Sequence, residues 1–410
     1  MKTKLNISIL FLIVLLDQAS FGVLLPIFSF LFSDGSHVSL VQEQFSSINY
    51  VLYGVFFATF SIFQFFSATI LGELSDYYGR KRIISISVLL VLLSFVLYII
   101  GIRYEIIYIL FLGRILAGVA AGCLGVIFAS VSDISDEITK AKNFSIIASA
   151  SGLGLIVGPL VGGVFTDTKL NSGFNFYTPL YLLLILNALC LLLYISFSKE
   201  TLTGKIKKKM SLHLSFLHIK RSLTDTDLRY LYLISFFFTS ALSSFMVFGS
   251  SFLIKKLSLT LSEINVLLFC FGVCILLAQI VLQGLYRKMH KLKILRLFSI
   301  IFLSGLLFVS NTGNIMLVYV ALTFIAFSIG IIYPTMLNII DDHAGNDDRG
   351  EKLGINTSVQ SLAQAVSILG VGALTYFISI DYILYAVMLF VFVVFLFSKY
   401  APTRRKIEVI

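Results

Sequence analysis

Ile83-Ile-Ser-Ile-Ser-Val-Leu-Leu-Val-Leu-Leu-Ser-Phe-Val-Leu-Tyr-Ile-Ile-Gly101 carries no charged residue, and Arg80, Lys81, Arg82 and Arg103 bracket it. As a helix this run is roughly 28 Å long, the depth of a hydrocarbon core of about 30 Å. Lipid offers no partner to an open backbone, so the run is a membrane helix. Working outward in both directions, eleven further runs of this kind appear. The twelve expected spans cover 6–32, 49–72, 83–101, 106–131, 142–166, 177–197, 229–254, 262–285, 296–310, 315–340, 351–378 and 381–398. The whole-chain figures agree: 410 residues are 58% hydrophobic and 13% charged, against about 25% charged in soluble domains. The fold class is therefore an all-α polytopic membrane protein. A disordered, disulfide-stapled or nucleic-acid-binding chain is excluded.

The net charge of +10 has a topological origin. With both termini cytoplasmic, only Arg103, Lys169, Lys255 and Lys256 fall in outward connections and only Arg114 falls within a span. The rest of the 31 Lys and Arg residues face inward, as the positive-inside rule requires. This predicts a multi-pass inner or plasma membrane protein. Lys2 and Lys4 before an apolar run imitate a signal peptide. The run continues to Phe32, contains Asp17 and lacks a small-x-small cleavage site, so it is expected to remain as the first span. Cys123, Cys190, Cys270 and Cys274 all fall in spans and have neither disulfide nor zinc spacing.

The longest polar segment, with Lys205, Lys207, Lys208 and Lys209, separates two halves of six spans each. The expected organisation is a six-helix bundle over 1–197, a basic linker over 198–228, a second and pseudo-symmetric six-helix bundle over 229–398, and a tail over 399–410. Duplicated halves of this kind are common in secondary transporters, which bind substrate between them near mid-membrane.

Between spans two and three the chain reads Gly72-Glu-Leu-Ser-Asp76-Tyr-Tyr-Gly79-Arg80-Lys81-Arg82. Gly72 is expected to let two helices approach closely, and Gly79 to supply a turn with positive φ. Asp76 offers an acceptor to a nearby Arg or to a helix N-terminus, while Arg80, Lys81 and Arg82 hold the loop at the headgroups. The run resembles the G-x-L-x-D-x-x-G-R-K/R motif of the major facilitator superfamily, with Tyr77 where the family usually carries a basic residue. The matching place in the second half, Gln283 to Lys291, keeps basic residues but neither the Asp nor the second Gly. Any charge relay at a gate is thus expected in the first half.

Span five contains Gly154, Gly158, Pro159, Gly162 and Gly163, a smooth ridge with a bend. Its G-P-x-x-G-G core resembles the antiporter motif of the drug/proton antiporter branch, and this resemblance implies export. Arg114-Ile-Leu-Ala-Gly118 in span four is similar to the R-x-x-x-G pattern of the same families. Leu16-Asp17 with Gly22 and Pro26 in span one looks like the opening of twelve-span drug antiporters, the tetracycline/proton exchangers among them.

Of 21 acidic residues, Asp17 alone lies well inside a span, and Arg114 is its basic counterpart. Ionised groups at such depth normally face a cavity and have a partner or a task. The pair is expected to be a proton-coupling site or a buried ion pair that fixes packing. In the second half Gln279, Tyr333 and Asn338 stand singly, while Asn356, Gln360, Gln364 and Ser367 share a face of span eleven. They are candidate substrate-cavity residues or interhelical hydrogen-bonding groups.

The expected function is proton-coupled export of a small amphipathic organic compound by alternating access. The energy would come from the proton gradient, without a cofactor or metal. The partners are a small molecule, protons and the lipid bilayer, without nucleic acid, and the chain is expected to act as a monomer. Export or exchange of an anionic metabolite such as a siderophore, held by Arg114, is the alternative. A non-transporting receptor or scaffold would leave Asp17 and Arg114 unexplained. An enzyme is disfavoured, because no paired carboxylates, His residues or metal-spaced ligands gather near the spans.

Overall fold

The computed structural model describes residues 2–32, 46–167, 170–202, 220–222, 224, 228–343 and 349–401. The linker lysines Lys205, Lys207, Lys208 and Lys209, together with Lys169 and residues 402–410, lie outside that set.

Among the described residues, twelve helices are long and apolar enough to cross a membrane: Leu5–Leu31, Asn49–Tyr78, Arg80–Arg103, Ile107–Asp133, Lys142–Thr166, Thr178–Phe197, Arg229–Leu257, Glu263–Lys288, Lys291–Asn311, Ile315–Asp342, Gly354–Phe377 and Ile380–Phe397. They are spans one to twelve below. Among the described residues there is no strand. Large apolar side chains line the outer faces of these helices. Ile185, Leu189 and Leu192 of span six are each more than half exposed, a cost of about 2 kcal/mol per residue in water that vanishes in lipid.

The chain forms two compact units. The first comprises Met1–Leu212 with Ser258–Phe269, the second His213–Leu257 with Cys270–Ile410. The N-terminal end of span eight thus belongs with the first six spans. The reason is local: a Cβ on Gly163 would stand 2.7 Å from Cβ of Asn265, so span five's ridge admits this residue only because it is bare.

Inside the first unit the sharpest packing is between spans one and five. A Cβ on Gly154 would meet the Leu15 carbonyl oxygen at 2.5 Å, and one on Gly158 the Ala19 carbonyl oxygen at 2.5 Å. From the other side, a Cβ on Gly22 would stand 2.7 Å from Cδ of Pro159. Motif residues of the two helices therefore interlock backbone to backbone. Gly72 behaves otherwise: no atom lies within 4 Å of where its Cβ would be, so the close approach expected there is absent.

Span four is not one continuous helix. It runs as Ile107–Ala121 and Leu124–Asp133, broken at Gly122 and Cys123, where the Cys123 N–H donates to the Ala120 carbonyl at 3.0 Å. Gly122 is pressed against Ser67 and Ala68 of span two. Apolar composition carries no mark of such a break, because every residue on either side of it still suits lipid or core.

Candidate functional site

The loop motif builds a charge cluster at the basic end of the first unit. Arg80 Nη1 lies 2.6 Å from Oδ1 of Asp76, one turn back across the loop, and its Nε lies 3.3 Å from Oδ2 of Asp133 at the end of span four. Ser75 Oγ accepts a further bond from Arg80. Asp76 therefore takes the nearby arginine rather than a helix N-terminus. That N-terminus, the start of span three, is held by a residue the sequence reading missed. Glu200, just beyond span six, accepts from the backbone N–H of Arg80 at 2.8 Å and of Lys81 at 3.2 Å. It also accepts from Thr201 and Leu202 at 2.9 and 3.1 Å. An anion among free N–H groups at the positive end of a helix dipole is favourable. Gly79, with φ of 100°, makes the approach possible, since a side chain there would be strained and would meet the Glu200 carboxylate. Lys81 Nζ donates to the Ile195 carbonyl at 2.7 Å, and Arg82 stacks on Tyr78 with 5.5 Å to the ring centroid.

The second unit has a counterpart despite its degenerate loop. Lys291 Nζ, at the start of span nine, lies 2.6 Å from Oδ2 of Asp342 at the end of span ten. This pair repeats the helix ends joined by Arg80 and Asp133, using an acid some fifty positions from the loop, where the motif gave no cue.

Arg114 is fully buried. Gly118, one turn further along, has the Phe60 carbonyl oxygen 2.5 Å from where a Cβ would stand, so span two lies directly on span four. Span two lays three rings around the guanidinium, with centroids at 4.8 Å for Phe56, 4.1 Å for Phe57 and 5.3 Å for Phe60. The Tyr98 hydroxyl stands beside the guanidinium, and no carboxylate forms a hydrogen bond with Nε, Nη1 or Nη2 among the described residues. Ring faces thus take the place of the carboxylate that the ion-pair alternative would have supplied; such contacts are worth about 2 kcal/mol or more when desolvated.

Asp17 and Arg114 form no ion pair. Span four passes Asp17 at Cys123, about nine residues and roughly 13 Å beyond Arg114. The side-chain donor to Asp17 is Gln18, whose Nε2 lies 3.1 Å from Oδ2. Asp17 lines a cavity of about 30 Å³, measured as the space open to water centres, with walls from spans one, three, four and six. Ser87, Cys123 and Asn187 are its other polar or polarisable wall groups. Sequence reasoning missed Ser87 and Asn187, since a serine and an asparagine in apolar helices are common.

In the second unit the polar residues of spans eight, ten and eleven differ in burial and partners. Gln279 and Tyr333 are exposed, with Tyr333 beside Gln360. Asn338 donates to the Tyr286 hydroxyl at 3.1 Å, and that hydroxyl donates in turn to Thr335 Oγ1 at 3.1 Å. Asn356 is buried, and Gln364 is partly buried. Among the described residues, no group of three or more His, Cys, Asp or Glu side chains is arranged to hold a metal ion.

The family model for the Major Facilitator Superfamily matches residues 7–368. The chain is 30% identical over 196 residues to tetracycline resistance protein class H of Pasteurella multocida, covering 48% of this chain and 45% of that protein. It therefore spans about half the length of the tetracycline relatives it matches. Multidrug resistance protein 2 of Bacillus subtilis is 24% identical over 375 residues, 88% of each chain. In fold it is similar to the nucleoside transporter NupG, with a TM-score of 0.75 at 14% identity over 97% of this chain and all of that one.

Proposed function

The chain belongs to the major facilitator superfamily, and on that footing we propose that it is a proton-coupled secondary transporter exporting a small amphipathic organic compound by alternating access. The basic loops and both termini face the cytoplasm, the proton gradient supplies the energy, and the chain works as a carrier without a bound cofactor. The drug-resistance relatives and the antiporter motif of span five favour export of an amphipathic compound. One observation carries the coupling. Asp17 is a carboxylate deep in span one that faces a water-sized cavity and, among the described residues, has no basic partner at ion-pair distance. A proton can therefore arrive and leave there without breaking a salt bridge, and its presence changes the charge that the bundle buries.

The alternative of an anionic cargo held by Arg114 is less well supported. That guanidinium is sealed beneath three phenylalanine rings and offers no open face to a substrate. The polar groups of the second unit, Tyr333, Asn356, Gln360 and Gln364 foremost, are the candidate contacts for an uncharged or weakly polar cargo.

The test is pH-gradient-driven movement of ethidium and tetracycline in proteoliposomes. The protein should accumulate at least one of them against its gradient, and Asp17→Asn should abolish accumulation while leaving downhill exchange or binding. Accumulation by that variant at the parent level would remove Asp17 from coupling.

A further inference from the structure

The cavity against Asp17 lies wholly inside the first unit and contains more than the carboxylate. Ser87, from span three, is 4% exposed; its Oγ stands beside the Cys123 thiol and meets no oxygen or nitrogen partner among the described residues. Asn187, from span six, is also 4% exposed. Its Nδ2 donates to the Leu183 carbonyl at 2.8 Å, which leaves its side-chain oxygen as an acceptor toward the space. A buried water needs two to four polar partners and about 10–15 Å³ for its centre, so about 30 Å³ with this lining fits about two waters. Span four tightens by one turn at Gly122 and Cys123, both still in the right-handed helical region, and of these two Cys123 lines the wall.

We propose that this space is a hydrated proton-loading chamber, in which Ser87 and Asn187 are positioning residues that hold water on the Asp17 carboxylate. The proposal rests on the coupling role of Asp17 and deepens it. A hydrated proton entering the chamber gives its proton to a carboxylate oxygen and stays behind as neutral water, bonded to Ser87 and Asn187. Release is the reverse step. Of the helices around Asp17, span three contributes Ser87 and span six Asn187 to the wall, and span five packs Gly154 against Gln18. Span four contributes the Cys123 thiol, the other titratable group on the described wall, while Arg114 lies among its rings further along the same span. Among the described residues, no cation lies at ion-pair distance to compete with water for the carboxylate.

Water bonded to the ionised carboxylate favours that form, so removing it raises the affinity for a proton. Infrared titration of the purified protein, with the protonated Asp17 carboxyl band assigned by its loss in Asp17→Asn, needs no substrate. Ser87→Ala and Asn187→Leu should each move the midpoint to higher pH by about one unit, tenfold in proton affinity. Ser87→Thr, which keeps the hydroxyl, should restore it. Unshifted midpoints in both variants would overturn the chamber even if Asp17→Asn proves uncoupled, whereas full uphill transport by Asp17→Asn would overturn the coupling reading itself. One measurement on the unaltered protein guards against a folding defect. Under X-ray hydroxyl-radical labelling Cys123, on the chamber wall, should oxidise faster than Cys190, which is equally buried away from it. Equal rates would mean that the space is dry and the proposal wrong.

Discussion

Arg80 sets the local order at the basic end of the first unit. Its guanidinium joins Asp76 to Asp133, while its own backbone N–H is held by Glu200, so one residue ties the ends of spans two, three, four and six. Replacing Asp76 by Asn removes one of the two charges on Arg80 and leaves the helices intact. Transport should fall several-fold with normal membrane insertion, as followed by uptake assay beside surface quantification; full transport would take Asp76 out of the mechanism. Glu200→Ala should act on stability, because four backbone N–H groups lose their acceptor together. A loss of about 1 kcal/mol, as for other helix caps, should appear as a lower unfolding temperature in detergent, with Glu200→Gln in between. Asp76 was legible from the loop motif. Glu200 was not, since it stands 120 positions away and only folding brings it to the helix start.

At the scale of elements, small residues decide which helices touch. Span one can lie on span five because Gly154, Gly158 and Gly22 present backbone where other residues would present side chains. Gly158→Leu would force a branched side chain against the Ala19 carbonyl, and the pair must separate or bend. The expected result is a lower yield of folded protein or a transporter arrested in one conformation. Unchanged thermal stability together with unchanged transport would show that the ridge is not under load. The ridge was visible as glycines four apart, and its neighbour was not. The break in span four had no sequence cue either, because hydropathy averages over a window and does not register two residues of irregular backbone.

For the molecule as a whole, the charge distribution makes a directly testable statement about sidedness. The basic ends of spans two to six carry the Arg80 cluster and Lys140, while Arg103 lies at the opposite ends. In intact cells an impermeant maleimide should label Arg103→Cys and leave Lys140→Cys unlabelled until the membrane is opened. The reverse pattern would invert the topology and with it the assignment of an inward gate. The apolar outer faces, such as Ile185, Leu189 and Leu192, agree with twelve helices in lipid but do not distinguish the two orientations.

Length, hydropathy and charge asymmetry by themselves determined twelve helical spans, because a bilayer of fixed thickness admits few ways to satisfy a backbone; they did not show that the start of span eight belongs with the first unit. Four local motifs in the first half pointed to the family, since each is a short run whose spacing the chain carries in plain view. Partnership was decided only by tertiary structure. Asp17 and Arg114, which the sequence left free either to approach one another or to stand across a cavity, are held apart: one faces a small cavity with Ser87 and Asn187, and the other is wrapped by rings from span two. Depth along a helix can be read from a sequence. The azimuth of a side chain, and which neighbour fills the space it points into, depend on how glycine ridges let helices approach, and that follows from packing among residues far apart in the chain.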